Sequence, residues 1–230
     1  MKRRLAMAMF AVVAISGASF AADDPALKSD KEKLSYSIGM DIGGNMKRGA
    51  IDVDPDLLAK GLKDSYGGGK IDLTEDEARQ AITTYQKART AKLAEEKLKL
   101  GERNKAEGEK FLAENAKKEG VTTLPSGLQY KVIAPGTGKS PKSTDTVTTQ
   151  YKGTLIDGTE FDSSYKTGQP ATFPVSGVVP GWIEALQLMK EGAKWQLFVP
   201  SNLAYGERGA GRDIGPNATL IFEVELISIK

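Results

Sequence analysis

The chain has 230 residues, carries 32 Lys plus Arg against 30 Asp plus Glu, and contains neither Cys nor His. Those two absences exclude disulfide staples, a lipid-modified cysteine anchor, thiol nucleophiles, Ser-His-Asp chemistry and zinc sites built on Cys or His. What remains open is carboxylate, hydroxyl, lysine or pure binding chemistry, and the balanced charge gives no sign of a nucleic-acid partner.

At the amino terminus Lys2, Arg3 and Arg4 precede an apolar run over residues 5–15 and small residues over 16–22. This is the three-part layout of a secretory signal peptide, with cleavage expected after Ala21, where Ser19 and Ala21 are the small residues a peptidase needs. The apolar run is too short for a stable membrane span. The expectation is an exported, soluble protein, periplasmic or associated with the cell surface or outer membrane. Without the leader's three basic residues the balance becomes 29 basic to 30 acidic.

Residues 22–73 read as a small helical domain. Ser29 and Glu32 form a capping box, after which Leu34, Ile38, Ile42 and Met46 recur at helical spacing. Gly39, Gly43 and Gly44 each cost roughly 0.8 to 1 kcal/mol relative to Ala in a helix interior, which close approach of another helix would offset. A second helix starts at Asp54 and Pro55, carries Leu57, Leu58, Leu62 and Tyr66, and stops at Gly67, Gly68 and Gly69. With Lys70 these glycines spell GGGK, but no strand precedes them, so they are a stop signal and not a phosphate loop.

Residues 74–119 predict one long helix opened by Thr74 and Glu77, ~65 to 70 Å from end to end. Its middle is polar nearly all round, which predicts a solvent-bridging stalk with no face to bury, and Gly101 and Gly108 read as points of bending. The helices before it and its first turns are too few for a good core, so pairing with a second copy is expected.

From residue 120 the apolar period changes from 3.6 to 2. Strands are predicted over 128–133, 146–155, 171–175, 194–199 and 219–229, and in the last Leu220, Phe222, Val224 and Leu226 alternate with Glu223 and Glu225. Between them, residues 176–190 read as a short helix with Pro180 in its first turn and Trp182, Ile183, Ala185, Leu186 and Met189 on one face. An ordinary core helix and a pocket floor both fit that stretch taken alone. An antiparallel sheet curled over one helix is the economical fold, an α+β domain spanning 120–230.

The motifs GLQYKVI, YKGTL from Tyr151, DGTEFDSS from Asp157, VVPGWIEALQLM, LAYG from Leu203 and IGPNATLIFEVELISI resemble, in order and spacing, an FKBP-type peptidyl-prolyl isomerase domain. The amino-terminal half, including KEKLSYSIG and the long helix, is similar to the macrophage infectivity potentiator subgroup of exported bacterial FKBPs, which form V-shaped homodimers joined at their helical domains. The resemblance implies a proline slot lined by Tyr151, Phe161, Val178, Trp182 and Phe222, with Trp182 as floor and Ile214 on the rim. It gives the Val179 N–H a substrate carbonyl to hold, and it makes Asp162 and Tyr205 the catalytic polar groups left inside the slot. Core packing alone also accounts for Tyr151 and Phe222, whereas an acid or phenol among aromatics needs a reason. No metal or cofactor is implied.

The implied substrates are X-Pro bonds in peptides and unfolded proteins. Macrolides of the FK506 and rapamycin class are implied inhibitors. Where the best-known eukaryotic pattern has a pocket-side arginine, phenylalanine and histidine, this chain aligns Thr167, Ala171 and Ala210, which implies a more open rim and weaker macrolide binding. The Gly-rich stretch 206–215 reads as a mobile flap, not a dinucleotide fingerprint, and Asn217-Ala218-Thr219 as a chance glycosylation sequon. Two functions stay open, an isomerase that assists the folding of exported proteins and a dimeric peptide-binding chaperone with incidental catalysis.

Overall fold

The computed structural model describes residues 27–230, so the expected leader and its cleavage site lie outside the described residues. The described residues divide into two compact units, the first ending at Thr74 and the second Glu75–Lys230.

In the first unit, α1 (Asp30–Arg48) opens with the predicted capping box. Ser29 Oγ accepts from the Glu32 N–H at 3.2 Å, and Glu32 Oε2 accepts from the Ser29 N–H at 2.8 Å. Helix α2 (Pro55–Gly67) opens on Asp54, whose Oδ1 accepts from the N–H groups of Asp56 and Leu57, and it closes on Gly68 at φ 68. Neither helix buries a residue. Leu34 is 62% and Ile38 51% exposed, and no described atom lies within 4 Å of a Cβ placed on Gly39 or Gly43. No other described helix therefore supplies the close approach expected at those two glycines.

The second unit opens with α3 (Glu75–Asn115), which has no buried residue before Gly101. Beyond that point the expectation of a stalk with no face to bury fails. Gly101, Gly108 and Asn115 are buried, one residue every two turns, against the domain that follows. A Cβ on Gly101 would come within 3.2 Å of the Pro216 ring, and one on Gly108 would run into Thr219 Oγ1. These glycines are contact points, not bends. The dock is sealed by polar groups: Asn104 Nδ2 donates to the Pro216 carbonyl at 2.8 Å, Asn115 Nδ2 to Gln129 Oε1 at 2.9 Å, and Gln129 Nε2 to the Leu112 carbonyl at 2.9 Å. Phe111 adds an aromatic contact to Phe198, with ring centroids 6.0 Å apart.

Among the described residues the strands build one antiparallel seven-stranded sheet: β1 (Val121–Thr123), β2 (Gln129–Pro135), β3 (Thr146–Leu155), β4 (Glu160–Ser163), β5 (Ala171–Pro174), β6 (Ala193–Val199) and β7 (Leu220–Ile229). Their order is β1-β2-β6-β7-β3-β4. Strand β3 gives its whole length to β7 on one edge and shares the other edge between β5 and β4. Strands β1 and β4, of three and four residues, are additions to the expected strands. Helix α4 (Pro180–Leu188) packs Trp182, Ala185 and Leu186 into one core with Leu197, Val199, Phe222, Val224 and Leu226. The predicted sheet wrapped on a short helix is what forms, and α4 brings Trp182 to the end where β3, β4 and β7 meet the loop after β6.

Candidate active site

Trp182 lies in the first turn of α4, 4% exposed, and the aromatic residues around it stand on edge to its indole. Tyr151 from β3 meets it at a centroid distance of 5.4 Å and 87°, Phe222 from β7 at 5.3 Å and 85°, and Phe173 from β5 at 6.3 Å and 89°. Edge-to-face packing is the favoured geometry for ring quadrupoles. Here it sets three walls upright on one flat floor, leaving an apolar box open at one side. Phe161 packs edge-on behind Phe222 at 5.6 Å, an approach permitted by Gly153, whose Cβ would lie 2.7 Å from the Phe161 ring and 2.9 Å from Phe222.

The box is a cavity of about 380 Å³ lined by Tyr151, Asp162, Phe173, Gly177, Val178, Val179, Trp182, Tyr205 and Phe222. Seven of the nine residues anticipated for the site line it. Phe161 supports the Phe222 wall from behind, and Ile214, 9% exposed, packs into the core with its backbone paired to Ala210. Phe173 and Gly177 are additions. The apolar alternation of Ala171, Phe173 and Val175 is a signal for Phe173, but a four-residue strand gives it little weight.

Asp162 and Tyr205 sit differently from the expectation that they are enclosed. Both are exposed at the mouth, Tyr205 by 41%, because β4 is an edge strand and Tyr205 lies within the loop after β6. Burial therefore cannot be the reason for their presence. Asp162 is held by two bonds, accepting from Tyr151 Oη at 2.7 Å through Oδ2 and from the Ser163 N–H at 2.8 Å through Oδ1. Burial first, and then this bond to Asp162, pushes the Tyr151 phenol above the ordinary tyrosine range. Tyr151 is thus neutral at physiological pH, with its donor committed to the carboxylate.

Val179 is the residue before the first turn of α4, with φ −64 and ψ 149. Its carbonyl accepts from Trp182 and Ile183, while its N–H stands at a helix amino terminus and has no partner among the described residues. Thr167 is turned away from the cavity, its hydroxyl donating to the Ser164 carbonyl at 2.9 Å. Ala171 does not line the cavity either, and Ala210 lines an adjoining cleft. The 206–215 loop is tied to itself through paired backbone bonds between Ala210 and Ile214, and to its base by the Asn217 N–H donating to the Gly206 carbonyl.

Comparison with known proteins places this architecture. Residues 137–227 match the family described as FKBP-type peptidyl-prolyl cis-trans isomerase, and residues 31–132 match the domain amino-terminal to it. Over all 230 residues the chain is 53% identical to the outer membrane protein MIP of Legionella longbeachae, covering 100% of this chain and 99% of that one. The chain belongs to the FKBP-type peptidyl-prolyl cis-trans isomerases. It is also 45% identical to the peptidyl-prolyl cis-trans isomerase Mip of Coxiella burnetii over 99% of both chains. Among solved structures, FkpA from Escherichia coli matches with a TM-score of 0.70 and 38% identity, over 89% of this chain and 99% of that one. These matches span both units, so the amino-terminal helices and α3 belong to the family architecture together with the sheet.

Proposed function

We propose that this FKBP-type isomerase accelerates rotation about X-Pro bonds by holding the proline ring in the aromatic box and aiming two donors at the peptide around it. The box with Trp182 as floor and Tyr151, Phe173 and Phe222 as walls carries the reading, since it is a flat, apolar slot open to a chain passing across its mouth. The reaction faces a barrier of about 18 to 20 kcal/mol from amide resonance and breaks no bond. Resonance gives the planar amide its large dipole; the twisted amide has lost it and tolerates an apolar slot better. The Val179 N–H holds one carbonyl of the substrate backbone. The Tyr205 hydroxyl donates to another as the amide twists, and Asp162 fixes the Tyr151 wall and places its negative charge beside the rotating group.

The expected leader makes the setting an export pathway, with a periplasmic or surface location, and no described helix is long and apolar enough to cross a membrane. The exposed Leu34 and Ile38 of α1, with Leu57 and Leu62 of α2, favour a homodimer formed through residues 22–73, and a second role as a chaperone for unfolded chains rests on that pairing. With Thr167 and Ala171 off the lining, macrolides of the FK506 and rapamycin class would meet the box itself but a sparse rim.

The test is isomerisation of short proline peptides. Trp182→Leu, which keeps apolar volume but removes the flat floor, should lower kcat/KM at least about tenfold while the protein stays folded. Tyr205→Phe should lower kcat by more than it weakens binding of a slot ligand, because its donor acts on the twisted state. Full activity in a folded Trp182→Leu protein would show that the box is not where the proline binds.

A further inference from the structure

The proline box is not the end of the groove. Tyr205, one side of its mouth, also borders a second cleft of about 470 Å³, whose other lining residues are Lys97, Arg208, Gly209, Ala210 and Gly211. Glycine and alanine make up the loop side of this cleft, leaving two cations as its chemistry. Lys97 comes from α3 and Arg208 from the loop after β6, so the cleft exists only because the helix is docked on the domain.

That docking fixes where Lys97 stands. One turn further along α3, Gly101 packs on Pro216, its carbonyl accepts from Asn217 Nδ2 at 3.4 Å, and Asn104 Nδ2 holds the Pro216 carbonyl at 2.8 Å. The positions that share a helix face with Lys97 are Leu93, Ala94, Leu100 and Gly101, none of them acidic. Neither Lys97 nor Arg208 forms an ion pair among the described residues. The neighbouring Glu207 lines a different cleft, with Lys105 and Glu109. Two exposed cations without a counter-ion among the described residues thus line one cleft, and that cleft shares Tyr205 with the proline slot.

We infer that this cleft is a specificity subsite for an acidic side chain of the peptide substrate, lying within about two residues of the isomerised proline and held by Lys97 and Arg208. The inference rests on the isomerase reading of the box. An extended chain advances about 3.3 Å per residue, so a residue adjacent or next-adjacent to the proline is what reaches past Tyr205. It also makes α3 a part of the substrate groove and not only a connection.

The experiment uses the full-length protein and proline peptides in which a single Glu, Gln or Lys occupies one of the two positions before or the two after the proline. At one or more positions kcat/KM for Glu should exceed that for Lys by about two- to tenfold, the range for two solvent-accessible ion pairs. The ratio should shrink toward one at about 0.5 M salt. With Lys97→Glu and Arg208→Glu combined, the ratio should reverse; with both changed to Ala, it should fall to one. Each ratio is taken within one protein, so a loss of active material cancels. A ratio near one at all four positions in the wild-type protein overturns the subsite, as does a Glu preference that survives the charge reversal. Failure to turn over even the Gln peptides would instead overturn the isomerase reading, and the subsite with it.

Discussion

Tyr151 joins the floor of the box to its polar mouth: its ring stands on Trp182 while its hydroxyl donates to Asp162. Its pKa lies above the ordinary value near 10, so the folded state binds the phenolic proton more tightly than the unfolded chain does. The sign follows: this stabilisation is fully present below about pH 10 and is lost as pH rises through the folded value, with no change in the neutral range. Subtracting the alkaline absorbance titration of Tyr151→Phe from that of the wild type should isolate a single tyrosine ionising well above the usual range. In Asp162→Asn it should move only part of the way back, because burial outranks the bond to Asp162; an isolated midpoint near 10 in the wild type would contradict the described environment. Asp162 also shows what a sequence can and cannot reveal at this scale. The family resemblance names it as a polar group left inside the slot, but β4 proves to be an edge strand that leaves it at the surface. Which of Tyr151, Phe161 and Phe222 face the slot and which stand behind it depends on how β3, β4 and β7 register, and register is a non-local quantity.

At the scale of elements, the four longer strands and all four helices are legible because each has enough residues to show a period or a cap, and β5 shows through the alternation of Ala171, Phe173 and Val175; Ser29 with Glu32 and Asp54 with Pro55 mark their helix starts by side-chain chemistry alone. The buried face of α3 was not, because it is written in Gly101, Asn104, Gly108 and Asn115, small and polar residues that a search for apolar stripes passes over. The usable signal was the two glycines seven apart in an otherwise strong helix former, each costing about 0.8 to 1 kcal/mol unless something packs against it. Substitution separates the two kinds of helical glycine. Around Gly61 in α2 no described atom lies within 4 Å of an added Cβ, so Gly61→Ala should gain up to about 1 kcal/mol. An added Cβ at Gly108 meets Thr219, itself 5% exposed and unable to swing away, so overpacking of about 1 to 3 kcal/mol outweighs the propensity gain in Gly108→Ala. Both tryptophans lie in the second unit, so fluorescence during urea unfolding reports that unit alone. The midpoint should fall for Gly108→Ala and stay in place for Gly61→Ala, whose gain appears only in helical circular dichroism. An unchanged fluorescence midpoint in Gly108→Ala would mean that α3 is not packed on the sheet domain.

For the whole molecule, the division of the chain after Thr74 decides which fragment is informative. A fragment beginning at residue 122 would remove α3 and uncover Pro216, Thr219, Phe198 and Gln129, so it would confound loss of the first unit with loss of the dock. One beginning at Glu75 keeps every contact of the second unit, including the cleft that holds Lys97. The first unit, by contrast, buries no helical residue of its own, and two helices of 19 and 13 residues with exposed Leu34, Ile38, Leu57 and Leu62 need a further surface to be stable. On the proposal that a second copy supplies one by symmetry, the dimer would carry two proline slots on one particle. A long unfolded client bound in one slot meets the other at an effective concentration near the millimolar range for a short flexible connection, so its overall affinity rises without any new contact. A short peptide gains nothing from the second slot. Residues 75–230 should therefore sediment as a monomer, show the same fluorescence unfolding as the intact protein, and turn over short proline peptides within about twofold of its kcat/KM, yet accelerate proline-limited refolding of a protein substrate at least about tenfold less. Restoring residues 27–74 should restore both dimer and refolding activity, while Leu34→Glu with Ile38→Glu in the full chain should lose both and keep the peptide activity. If the 75–230 fragment is dimeric, or helps refolding as well as the full chain does, the pairing of slots through the first unit is wrong even though the box and its chemistry stand.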